Sequence, residues 1–97
     1  MPRNKNDKRG IKNYQLQWLY GITLDEYEQM IVAQKGKCGL CGSSSSGTSH
    51  SWHVDHSAVT GKVRSLLCHH CNVGLGHFRD SPGLLDKAAA YLRKHKN

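Results

Sequence analysis

The chain has 97 residues and carries 14 Lys and Arg against 7 Asp and Glu, a formal charge of +7 with neutral histidines. Only 37% of the residues are hydrophobic and the mean hydropathy is −0.63, thin material for a core, so a domain this small calls for a staple such as a metal or a disulfide set. These counts argue against a multidomain enzyme or a full parallel-sheet nucleotide-binding fold, no apolar run is long enough for a membrane span, and the basic excess favours a polyanionic partner.

Residues 1–13 read as a basic, flexible arm, with Arg3, Lys5, Lys8, Arg9 and Lys12 against a single acid, Asp7. Whether that arm touches the polyanion or is a solvated tail stays open, since basic clusters serve both. It holds no apolar leader, which predicts a cytoplasmic protein. Residues 14–97 read as one domain. Leu16, Trp18, Leu19 and Tyr20 predict a short packed helix over Tyr14–Tyr20. Thr23-Leu24-Asp25-Glu26 has the form of a capping box, in which the Thr23 hydroxyl takes a free N–H of the first turn and Glu26 reaches back to the cap. The helix that follows is predicted over Leu24 to about Gln34, with Leu24, Tyr27, Ile31 and Gln34 on one face and Met30 beside them. Gly36 suits the left-handed position after its end.

The four cysteines fall as Cys38-Gly-Leu-Cys41 and Cys68-His-His-Cys71. Without an export signal a structural disulfide is disfavoured, because the cytosol keeps thiols reduced. A redox CxxC comes as a single pair between a strand and a helix of a larger sheet. Two CxxC pairs instead suit a tetrahedral zinc site with four thiolate ligands, in which the metal ties two distant segments together. Four cysteines complete such a site, so His69 and His70 are not expected to coordinate.

Between the pairs, residues 42–51 are rich in Ser and Gly and read as an exposed loop. Trp52-His53-Val54-Asp55 is predicted as a short strand and Lys62–Leu67 as its partner, with residues 58–61 as the connection. A helix or half-helical turn over Cys68–Phe78 is weakened by Gly74 and Gly76. Ser81-Pro82 supplies a cap and an N1 proline, and a last helix is predicted over Pro82–Lys94, burying Leu85, Ala88, Ala89 and Leu92. Trp18, Tyr20, Trp52 and Phe78 are expected in the core, because a small zinc domain needs its aromatics inside. His50, His77 and His95 are expected at the surface.

Inside the zinc frame stand His53, Asp55, His56, Arg64 and Asn72. Asp55-His56 closes the first strand, and Asn72 follows the last cysteine, where a metal would fix its position. A carboxylate and an amide oxygen from two elements suit one hard divalent cation that keeps several waters. The neighbouring imidazole of His56 is suited to take a proton from water. His53 shares the strand parity of Asp55; assistance at the metal and a plain hydrogen bond in the hairpin both stay open. Arg64 can clamp phosphate or pair with an acid, and the net charge favours the first.

The segments Tyr20-Gly21-Ile22-Thr23, Cys38-Gly39-Leu40-Cys41, His53-Val54-Asp55-His56, Thr60-Gly61-Lys62-Val63-Arg64-Ser65-Leu66-Leu67-Cys68 and Cys71-Asn72-Val73-Gly74-Leu75-Gly76 together resemble the recombination endonuclease VII family, a branch of the HNH or ββα-metal nucleases. The resemblance covers roughly residues 20–93. It implies a small α+β fold, a zinc-stapled ββα-metal nuclease core with flanking helices. It further implies a metal-dependent DNA endonuclease of phage or prophage origin, acting in a bacterial host cell. By position, Asp55 and Asn72 correspond to ligands of a catalytic Mg²⁺ or Mn²⁺ and His56 to the general base. Cys38, Cys41, Cys68 and Cys71 correspond to ligands of a structural Zn²⁺. Many relatives continue with a second Asp-His where Ser57-Ala58 stand here, which leaves an auxiliary histidine role empty or passes it to His53. Lys62, Arg64 and Arg79 are the candidates for holding the DNA backbone. A homodimer and a phage protein partner stay open. The competing reading is a non-catalytic zinc-ribbon module that binds nucleic acid or protein, which has no need of Asp55, His56 and Asn72.

Overall fold

The chain is described as a computed structural model over residues 8–47 and 52–96; residues 1–7 of the expected arm, and residues 48–51 with His50, lie outside the described residues. The elements in chain order are α1 (Lys8–Tyr20), α2 (Leu24–Ala33), β1 (His53–His56), β2 (Val63–Leu67), α3 (His69–His77) and α4 (Pro82–Lys94). Helices thus flank a two-stranded antiparallel sheet in a small α+β arrangement.

The first helix opens at Lys8, well before Tyr14, where the sequence reading began it. Lys and Arg are good helix formers, so the basic composition that suggests an arm does not oppose a helix. Leu16 is 3% exposed and Tyr20, one turn on, packs against the same core. Trp18 lies about 200° round the helix from Leu16 and is 76% exposed, which corrects its expected place in the core. Gly21, at φ 73, turns the chain into α2. The capping box forms as read, with Glu26 N–H donating to Thr23 Oγ1 at 3.0 Å and Thr23 N–H to Glu26 Oε1 at 2.9 Å. Asn13 of α1 takes a further free donor of that turn, Leu24 N–H, at 2.7 Å. At the other end Lys35 and Gly36 are both left-handed, and their N–H groups bond back to Val32 and Ile31 carbonyls.

β1 and β2 pair His53 with Leu67, Val54 with Leu66 and His56 with Val63, so Asp55 alone stands opposite Arg64 and Ser65 and the extra residue of the bulge lies in β2. A bulge breaks the two-residue alternation and re-aims a side chain. Consecutive Val54 and Asp55 are both buried. The connection is closed by Ser57, whose Oγ accepts from Val59 and Thr60 N–H groups.

Leu16, Leu24, Tyr27, Val54 and Leu66 form the main core, with Trp52 and other partly buried side chains packed on it. A second cluster joins Cys38, Leu67 and Cys68 to Trp52, Cys71 and Leu75. Gln34, at the end of α2, links α2 to the free edge of β2. Its Oε1 accepts from Leu66 N–H and its Nε2 donates to Leu66 C=O, both at 2.9 Å. One side chain therefore stands in for a third strand. Gln34→Leu strands a buried backbone donor and is expected to lower stability by about 1–3 kcal/mol, read as a reduced urea midpoint at unchanged slope.

Ser81 caps α4 through Leu84 N–H, with Pro82 in the first turn. None of the α4 residues is buried. Leu85, Ala88 and Ala89 are half-buried and Leu92 is exposed, so the expected burial of this face is corrected. Amphipathic spacing identifies a side of a helix but not what covers it, and the two clusters draw on other elements. Phe78, past the end of α3, is likewise partly exposed and absent from both clusters. Among the described residues no helix is long and apolar enough to cross a membrane.

Candidate metal centre and active site

The cysteines meet where three segments end. Cys38 and Cys41 follow α2, Cys68 closes β2 and caps α3, and Cys71 lies in the first turn of α3. One sulfur from each of the four lies within 4.8 Å of the others. All are free thiols, and Cys41 and Cys68 Sγ stand 3.8 Å apart, far beyond a disulfide bond. A tetrahedron with Zn–S of ~2.3 Å has edges of ~3.8 Å, so the donor set and its spacing fit zinc. Backbone N–H groups converge on the sulfurs: Cys68 N–H and Leu40 N–H reach Cys38 Sγ at 3.3 and 3.4 Å. Burial opposes ionisation of Cys38, yet these donors outweigh it and bring the thiol down to about 6. Burial pushes Cys71 up to about 12, reinforced by hydrogen bonds to the neighbouring thiols and by the Cys38 charge. A single charge is therefore easy to form in the cluster, and further ones call for a cation. Gly39 lets the first knuckle lie on β2, since a Cβ there would come within 2.8 Å of Ser65 Oγ.

Asp55 is 8% exposed. Arg64, across the hairpin, holds it with both arms: Nε to Oδ2 at 2.7 Å and Nη2 to Oδ1 at 2.9 Å. The same Nη2 reaches Asp80 Oδ2 at 3.3 Å. The Asp55 hydrogen bond leads the causes that raise the Arg64 pKa above its ordinary value. Of the two roles open to Arg64 the geometry displays pairing with acids. Asp80 was not among the residues singled out from the sequence. It comes to Arg64 through a tertiary turn, with no local motif to mark it.

His56 ends β1 on the solvent side, its ring 5.9 Å from that of Tyr20. His53 Nε2 lies 3.3 Å from His69 Nδ1, a hydrogen bond between β1 and the start of α3. Asn72 is half-buried on α3, which packs against β1. Asp55 and Asn72 are thus carried on contacting elements, and among the described residues no side-chain hydrogen bond joins Asp55, His56 and Asn72 to one another. Lys62 and Arg79 are exposed.

The family model for recombination endonuclease VII matches residues 13–94. The Gene 59 protein of Mycobacterium phage D29 is 43% identical over 76 residues, 77% of this chain and 46% of that protein. The Gene 59 protein of Mycobacterium phage L5 is 43% identical over 74 residues, 75% of this chain and 44% of that protein. The chain therefore spans less than half the length of these relatives. No solved structure is significantly similar. The matched span runs from within α1 through the cysteine cluster, the hairpin and α3 to the end of α4, most of the described fold: the chain belongs to the recombination endonuclease VII family.

Proposed function

We propose that this chain is a zinc-stapled DNA endonuclease core of the HNH, or ββα-metal, type, a single domain that hydrolyses phosphodiester bonds with one divalent ion and a histidine base. What carries the reading is the placement of Asp55, His56 and Asn72 on one strand–strand–helix unit inside the family match. The four thiolates would hold a structural Zn²⁺. Asp55 and Asn72 would hold Mg²⁺ or Mn²⁺, because carboxylate and carboxamide oxygens are the donors such hard cations select. When bound, that ion supplies charge neutralisation for the phosphate and for the leaving 3′ oxygen. His56, free on the solvent side of the hairpin, takes a proton from the attacking water. His53, bonded to His69, fixes β1 against α3. Lys62 and Arg79 draw in the phosphate backbone, which makes binding fall steeply with salt. Phage-encoded relatives support action in the cytoplasm of a bacterial host.

One observation favours a second reading, a zinc-ribbon binding module without catalysis. Arg64 already satisfies both Asp55 oxygens, as it would in a purely structural pair. Digestion of supercoiled, linear, single-stranded and four-way-junction DNA with Mg²⁺ or Mn²⁺ decides between the two. Nicking or cutting of at least one substrate is expected, and no product from any of them would leave the binding module. Asn72→Ala is expected to raise the metal concentration for half-maximal cutting by at least about tenfold with zinc content unchanged.

A further inference from the structure

Asp55 is a buried carboxylate whose two oxygens are both taken by one guanidinium. A buried acid needs a counter-charge, and leaving one without it is strongly unfavourable. A divalent cation arriving at the same oxygens meets the arginine as a like-charged competitor. Arg64 is free to yield, since its side chain is 40% exposed against 11% for Asp55. It also has somewhere to go. Its Nη2 already touches Asp80, whose side chain is 28% exposed.

The backbone is bent to present that second acid. Past the end of α3, Arg79 and Asp80 are both left-handed, at φ 57 and 52. Non-glycine residues enter this region at a cost, and persist there when the surrounding structure fixes them. Here their N–H groups close the helix end on the carbonyls of Gly76 and Leu75 at 2.9 Å each. α3 therefore carries Asn72 near its start and delivers Asp80 beyond its end, against Arg64.

We propose that Arg64 is a resident cation that occupies Asp55 until a divalent ion displaces it, and that Asp80 is the positioning residue that receives the guanidinium. This inference rests on the proposed ion site at Asp55 and Asn72, and adds how that site is kept charge-balanced when empty and opened when filled. Asp80 acts through Arg64 alone, so its contribution disappears when Arg64 is removed.

The test is Mn²⁺ binding to the full zinc-loaded chain without DNA, followed by the electron paramagnetic resonance of free Mn²⁺. Arg64→Gln is expected to tighten binding by about tenfold, because the competitor is gone, and Asp80→Asn to weaken it by about tenfold, because Arg64 stays on Asp55. The double variant is expected to match Arg64→Gln. Zinc content and far-UV circular dichroism report the fold of each variant, and Asp80→Glu, which keeps the charge, restores binding. Looser binding by Arg64→Gln would make Arg64 a holder of the site and overturn the proposal. So would an unchanged affinity in Asp80→Asn, or an Asp80→Asn effect of equal size in the Arg64→Gln background. Saturable Mn²⁺ binding that Asp55→Asn abolishes but Asp80→Asn leaves alone sinks this inference and spares the ion site. No saturable binding in wild type or Arg64→Gln sinks both.

Discussion

If the four cysteines hold the proposed zinc, a chelator that removes one zinc per chain is expected to unfold the domain, abolishing the native far-UV circular dichroism and the cooperative thermal transition. The buried hydrophobic set is small, and Cys38 and Cys68 are themselves members of it. A structural zinc contributes ~10–16 kcal/mol of apparent binding free energy in small domains, comparable with or larger than the ~5–15 kcal/mol net stability of a whole domain. The cluster joins the ends of α2 and β2 to the start of α3, so its loss releases the Cys38, Leu67 and Cys68 group as a unit. Metal uptake displaces thiol protons, and zinc affinity therefore falls as the pH is lowered. The fall steepens by one further proton below about 6, where Cys38 regains its own in the metal-free chain. Elemental analysis before and after chelation, with circular dichroism on the same samples, checks the claim. A cooperative melt that survives complete zinc removal would refute the staple.

Much of the architecture is legible in the residues because local signals decide it. The capping box at Thr23 and Glu26, the Ser81-Pro82 start of α4 and the paired CxxC knuckles are local signals, each decided within a few residues. β1 is displaced by one position from its predicted bounds, and β2 starts one residue later and ends at Leu67 as predicted. What escaped was decided by tertiary geometry. Trp18 looks like core by size and is turned outward by its angle from Leu16. The α4 stripe looks like a buried face and finds little to bury against. The bulge opposite Asp55 gives β2 an extra residue that plain alternation does not show. The site was legible in part for the same reason. Asp55 and Arg64 are opposite charges across a predicted hairpin, so their pairing lay within reach of cross-strand reasoning. Asp80 and the His53–His69 bond depend on how α3 is seated and left no mark in the local sequence.

His56→Ala is expected to slow DNA cleavage by about 10²–10⁴-fold, the usual worth of a positioned general base. The side chain is exposed at the end of β1, and its ring makes a tilted approach to Tyr20. It belongs to neither core cluster, so its truncation should leave stability within about 0.5 kcal/mol of wild type. Loss of cutting cannot then be laid to unfolding, and zinc content with the thermal midpoint verifies this on the same preparation. Imidazole added to the buffer supplies the missing base and is expected to restore part of the rate in His56→Ala while leaving wild type unaffected. Rescue separates a proton-transfer role from a purely spatial one, which a free base in solution would not replace. His53→Ala is the comparison, since its ring is tied to His69 and it serves to seat β1 on α3. It should lower the thermal midpoint and gain nothing from imidazole. A His56→Ala protein that cuts at the wild-type rate would remove the imidazole from the chemistry and leave water activation to another group.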